Sequence, residues 1–179
     1  MVTDASPWGL GFVVLGRGEP LCFGRTPISE DDERVFSTQK GKCTDQAIWE
    51  ALAILCGVKS VKKLLWHPDA CKPRSLMIHT DSTAAMGSLS KMRSPDPRLS
   101  TIAREFAMTA ALYQLRFLWK HLPGAQNDLA DALSRGKRPR VLTSVKDVPV
   151  PHRSKEFWIT RAPPRASEAS EVFLRRLEI

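Results

Sequence analysis

Apolar and polar positions along this chain recur with two different periods, and the changes between them divide it into elements. Residues 1–28 carry the pattern of strands. Val2 to Ser6 stops at Pro7, and Gly9 to Leu15 (GLGFVVL) is apolar and β-branched. Leu21 to Arg25 follows the turn signal Gly16-Arg17-Gly18. These three segments read as an antiparallel meander. Residues 29–43 (SEDDERVFSTQKGKC) are polar and are expected to form a loop. The period then lengthens. Ile48, Ala51, Leu52 and Leu55 recur at helical spacing, behind Thr44 as N-cap and Asp45 in the first turn. Gly57 is expected to end or weaken this helix, unless Val58 to Leu65 continues it. Residues 67–74 hold two prolines and read as a loop. Ser75 to Thr80 (SLMIHT) is a strand with Leu76 and Ile78 on one face, and Asp81-Ser82-Thr83 caps a short helix through Leu89. Pro95 and Pro97 precede a long amphipathic helix, Arg98 to Tyr113, with Leu99, Ile102, Phe106 and Ala110 on one side. Leu115 to His121 (LRFLWKH) alternates as a strand, Pro123-Gly124 turns the chain, and Asn127 to Ser134 forms a closing helix.

The predicted order is β-β-β-α-β-α-α-β-α. A meander followed by alternating strands and helices points to the α/β class, with a mixed five-stranded sheet flanked by helices. This domain spans residues 1–135. Beyond it the composition changes. Residues 136–165 hold Pro139, Pro149, Pro151, Pro163 and Pro164 among many lysines and arginines. Residues 136–179 therefore read as a basic, proline-rich extension, a linker or irregular surface segment, with Ala166 to Leu177 as a short helix.

Composition adds bounds. Hydrophobic residues make up 42% of the 179, enough for a core. The net charge of +8 favours a polyanionic partner without selecting one. Cys22, Cys43, Cys56 and Cys71 form no C-x-x-C pair, and Met1-Val2-Thr3-Asp4 carries no secretory pattern. An intracellular location, cytoplasm or nucleus, is expected. His67 and Cys71 lie close together but lack a second ligand pair, so they read as loop residues rather than a zinc site. No apolar run reaches the length of a membrane span, and no membrane association is expected.

Four acids sit where separate elements could aim them at one spot. Asp4 is on the first strand, Glu50 is in the first long helix, Asp81 ends a strand and Asp131 lies in the closing helix. An acid among apolar neighbours costs free energy unless it is paired or binds a cation. Four on separate elements of one domain suggest shared hard cations, which relieve the repulsion between carboxylates. Each acid has a plainer reading: a strand-end turn for Asp4, a solvated helix acid for Glu50, a helix cap for Asp81 and a surface acid for Asp131. For the last, Asp128 is a rival three residues earlier. Trp8, Trp49, Trp66 and Trp119 could stack on bases, but core packing is the commoner use of tryptophan.

The segments TDASPWGLGFVV, AIWEALAIL, LMIHTDSTAA and HLPGAQNDLADALSR resemble, in order and spacing, the signature segments of ribonuclease H domains. The likeness is nearest to the domains of retrotransposon reverse transcriptases, covers residues 1–135, and is most specific in the ADALSR ending. It implies a ribonuclease H-like fold and a metal-dependent endonuclease that hydrolyses the RNA strand of an RNA–DNA hybrid. Asp4, Glu50 and Asp81 would form the central metal-binding set, and Asp131 would complete a second position. The cofactor would be two Mg²⁺ ions, with Mn²⁺ as an alternative. His121, ten residues before Asp131, matches a mobile histidine that assists proton transfer or product release. The implied partners are the hybrid and an adjacent reverse transcriptase domain. Only Lys91, Arg93 and Arg98 lie where such domains carry a basic protrusion. Two other readings stay open: a domain of this fold that binds nucleic acid without cutting it, and another nuclease or integrase of the same fold.

Overall fold

The strand period of the first residues yields three consecutive antiparallel strands. In a computed structural model that describes residues 1–65 and 74–158, side chains of Lys63 and Leu64 excepted, these are β1 (Val2–Ala5), β2 (Gly9–Gly16) and β3 (Glu19–Pro27). Two later strands, β4 (Arg74–Thr80) and β5 (Leu115–His121), add in parallel on the far side of β1. A two-residue strand, β6 (Lys146–Asp147), pairs in parallel with β3. The sheet is therefore mixed and six-stranded, in the order β5-β4-β1-β2-β3-β6. The sequence pattern predicts five strands; the sixth is too short and too exposed to leave a periodic signal.

Alternation along β2 sends side chains to two different layers. Leu10, Phe12 and Val14 face a core shared with α2 (Gln46–Leu65) and α4 (Pro97–Leu112). Val13 faces a smaller cluster with Phe23, Leu133 and Leu142, on the side of α5 (Asp128–Ser134). Gly9 and Gly11 share that second face. A Cβ on Gly11 would lie 2.6 Å from both the Ala130 carbonyl oxygen and the Ser134 amide nitrogen. The missing side chains let α5 rest directly on the sheet backbone.

Residues 29–43 are not all loop, because α1 (Glu30–Phe36) forms there. Ser29 and Asp32 make a reciprocal capping box, and Phe36 is buried. Thr44 does not cap α2. A 3-10 turn over Cys43–Asp45 leads into the helix at Gln46. Gly57 does not end it: α2 runs unbroken to Leu65. A Cβ on Gly57 would stand 2.7 Å from Met1 Sδ and 3.2 Å from Phe12 Cγ, so the glycine admits the sheet rather than stopping the helix. The short helix α3 (Thr83–Ser90) is capped by Ser82, whose Oγ accepts from the Ala85 amide.

The chain after residue 136, expected to be a linker or irregular surface segment, packs back onto the domain as far as it is described. Leu142, Val148 and Phe157 are buried. The Arg153 guanidinium is buried too, donating to both carboxylate oxygens of Asp32 at 2.8 Å, to Thr26 Oγ1 and to the Pro27 carbonyl. Lys59 Nζ reaches Glu105 Oε1 at 2.6 Å and also the Phe157 carbonyl. These buried ions are invisible to hydrophobic periodicity. The expected helix at 166–177 and the loop holding Trp66, His67 and Cys71 lie outside the described residues. Among the described residues no helix is long and apolar enough to cross a membrane.

Two predictions follow from this packing. Gly11→Ala destabilises the fold by about 1–3 kcal/mol through overpacking, whereas Gly87→Ala, which meets nothing within 4 Å, stabilises it by about 0.5–1 kcal/mol. Arg153→Ala strands the buried Asp32 carboxylate and costs about 3–5 kcal/mol. Urea unfolding midpoints check both.

Candidate metal centre

Parallel pairing places the first two acids side by side. Val2 on β1 stands opposite His79 on β4. Two residues further along each chain lie Asp4 and Asp81, with the same parity and so on the same face. The third acid arrives from above. The Ala5 amide, next to Asp4, donates to Glu50 Oε1 at 3.1 Å, and Gln46, one helical turn earlier, donates to the same oxygen at 2.9 Å. One carboxylate oxygen each from Asp4, Glu50 and Asp81 lie within 4.8 Å of one another. Asp4 and Glu50 are buried and Asp81 is half-buried.

Burial and mutual repulsion act together on these groups. Desolvation pushes the Glu50 carboxyl up to about 8, with the charges of Asp4 and Asp81 adding to it. Desolvation likewise raises Asp4 to about 6, reinforced by Asp131 and Asp81 and opposed by a hydrogen bond from Ser134 and by the charge of Arg135. Glu50 Oε2 is buried with no hydrogen-bond partner. An orphaned acceptor on one of three clustered carboxylates is the environment a divalent cation satisfies, since hard cations take oxygen donors. The donor set thus fits a metal ion.

Asp131 lines the same cleft but stands outside the tight triad. Its Oδ1 accepts from Arg135 Nε at 2.8 Å, one turn along α5. Asp128, its rival in sequence, is exposed and does not line the cleft. Asp81 is free of the capping role, which Ser82 takes. His121 is exposed at the end of β5, opposite Thr80 and thus one strand from Asp81; it contributes no atom to the triad.

Two positioning residues escape the sequence pattern. Asn127 is buried, and its Nδ2 donates to the Thr3 carbonyl at 3.0 Å and to Asp4 Oδ1 at 3.1 Å. Its place just before α5 suggests a cap, but its side chain makes no capping bond. Gln46 had one usable signal, its i,i+4 spacing from Glu50 on a helix. Among the tryptophans, Trp49 is wholly buried and Trp119 packs against Phe106 and Phe117, as core use predicts, whereas Trp8 is 57% exposed.

The raised acids fix the sign of a pH effect. A carboxyl whose folded pKa exceeds its unfolded value holds its proton longer in the native state. Stability is then lost as pH rises from the ordinary value of 4.5 towards about 8 for Glu50, and from 3.8 towards about 6 for Asp4. The Tm of the metal-free chain is expected to fall between about pH 5 and pH 8. Added Mg²⁺ is expected to raise it more at the upper end, where the ligands are ionised. Glu50→Gln should flatten the part of the fall above about pH 6 and weaken the Mg²⁺ effect. Thermal melts across pH, with and without Mg²⁺, measure this.

Compared with protein-family models, with curated proteins and with solved structures, the chain matches none.

Proposed function

We propose that this chain is a ribonuclease H-type endonuclease, a metal-dependent hydrolase that cuts the RNA strand of RNA–DNA hybrids beside a retroelement reverse transcriptase domain. One observation carries the reading: carboxylate oxygens of Asp4, Glu50 and Asp81 within 4.8 Å of one another, beside the orphaned Glu50 Oε2. The resemblance of the four sequence segments supports the substrate class. The sheet order, with two parallel strands outside β1, is compatible with a ribonuclease H-like fold.

Asp4, Glu50 and Asp81 would hold the first Mg²⁺ or Mn²⁺, and Asp131 would complete the second position. The chemistry supplied by such a pair is activation of a water and stabilisation of the leaving oxygen of a phosphodiester. The chain's own residues do the rest. Asn127 orients Asp4, while Gln46 and the Ala5 amide fix Glu50 by its Oε1 and leave Oε2 for ligation. Arg135 offsets the charge of Asp131 at the rim. His121, exposed at the end of β5 one strand from Asp81, would carry protons to or from solvent.

The test is cleavage of a strand-labelled RNA–DNA hybrid in Mg²⁺ or Mn²⁺. The native chain is expected to cut only the RNA strand and Asp81→Asn to cut neither. Asn127→Ala should lower activity roughly 10–100-fold, as loss of a ligand's orienting partner does. Binding of the hybrid by native and Asp81→Asn chains with cleavage by neither would replace the reading with that of a non-cutting nucleic-acid-binding domain.

A further inference from the structure

A second cleft, of about 290 Å³, opens beside the metal centre. Trp8, Gly9 and Arg25 form one wall, and Ser134, Arg135 and Gly136 at the end of α5 form the other. Arg135 also lines the cleft of the carboxylates, so the two are joined through one side chain. Among the described residues no acidic side chain lines the second cleft.

Trp8 is displayed rather than buried. Its amide donates to Ser6 Oγ at 3.2 Å and its carbonyl accepts from the Ile28 amide at 3.0 Å. Gly41, at a φ of +87°, brings the chain against the edge of the indole; a Cβ there would stand 3.0 Å from the ring. The Gly41 amide is itself held by the Pro7 carbonyl at 2.9 Å. An indole fixed at its backbone and braced at its edge offers an open π-face at little further cost in conformational entropy. Arg25 is exposed and anchored by a hydrogen bond to the Gly136 carbonyl, and its guanidinium has further N–H donors to spare. An aromatic face beside Arg25 and the Asp131-paired Arg135, in a cleft that no acid lines among the described residues, is complementary to a nucleotide: a base to stack and a phosphate to pair.

We infer that this cleft is a nucleotide subsite, taking one unit of the strand that enters the metal centre, with its base against Trp8 and its phosphate on Arg25. The inference rests on the nucleic-acid reading above. Arg135 stands between the subsite and Asp131, so a phosphate crossing from one cleft to the other passes a cation at each step. Trp8 and Arg25 contribute to holding the strand and not to the chemical step.

Binding and cleavage separate this subsite from the metal centre. The probe is a fluorescein-labelled RNA–DNA hybrid, read by anisotropy in EDTA and by cleavage in Mg²⁺. Trp8→Ala and Arg25→Ala are each expected to weaken binding about tenfold, with Trp8→Phe restoring most of the loss. At saturating hybrid, cleavage by these variants should stay within about twofold of native, the loss appearing in KM. Arg25→Ala should reduce the slope of log affinity against log salt by about 1, while Trp8→Ala leaves it unchanged. Asp81→Asn should show the converse, native-like binding without cleavage. Native-like affinity in both Trp8→Ala and Arg25→Ala would overturn the subsite whether or not the chain cuts. Absence of hybrid binding by the native chain would overturn it as well. Absence of cleavage with Trp8-dependent binding intact would overturn the nuclease reading and leave the subsite standing.

Discussion

The parallel pairing of β1 with β4 is the constraint on which the site and the fold both depend. β1 is only four residues long, yet it is the seam between the antiparallel meander and the parallel strands. Its hold on β4 includes the His79 amide donating to the Met1 carbonyl at 2.8 Å. A slip of one residue in that register would turn Asp4 or Asp81 to the opposite face of the sheet, because side chains alternate along a strand. Strand register thus sets the distance between two charges that repel.

Around this seam both neighbouring helices are brought in close by missing side chains. Glycine does it on one side, where Gly9 and Gly11 leave the backbone of β2 bare for α5. Gly57 does it on the other, where α2 accommodates Met1 and Phe12. Close approach of the two helices from opposite faces then carries Glu50 and Asp131 to the rim of the same strand end. The cost of that convergence is electrostatic. Carboxyls whose pKa burial raises, with neighbouring charges adding to it, work against the folded state when they ionise. A divalent cation held there would reverse the sign of that contribution by giving the anions a shared partner. Binding of such an ion would then be linked to the stability of the fold.

The segment after α5 contributes in another way. It carries no long strand or helix as far as it is described, but it delivers Arg153 to Asp32 and the Phe157 carbonyl to Lys59. The ion pairs Arg153–Asp32 and Lys59–Glu105 are almost fully removed from water, so loss of either partner would leave a buried charge uncompensated. Trp158 closes over the same region, meeting both Phe157 and Phe36 edge to face. The capping box of α1 and this latch share Asp32, which ties the start of a short helix to a residue 121 positions away.

Local chemistry made much of this legible in advance. Helical spacing in Ile48, Ala51, Leu52 and Leu55, alternation in β4 and β5, and the prolines before α4 each act over a few residues and need no tertiary information. The four acids stood out for the same reason, as charges set into apolar stretches. What periodicity could not reveal was decided by contacts between distant parts of the chain. Gly57 reads as a helix breaker until Met1 and Phe12 are seen to occupy the space beside it. Asn127 carries no sign of chemistry until its amide is found on Asp4, 123 positions away. Trp8 carries the same side chain as Trp49, yet one is exposed and the other buried. The sequence by itself determined which segments would be strands or helices and which residues could bear charge. Only the tertiary structure decided which charges meet and which aromatic faces solvent, because burial and long-range pairing are properties of the assembled chain.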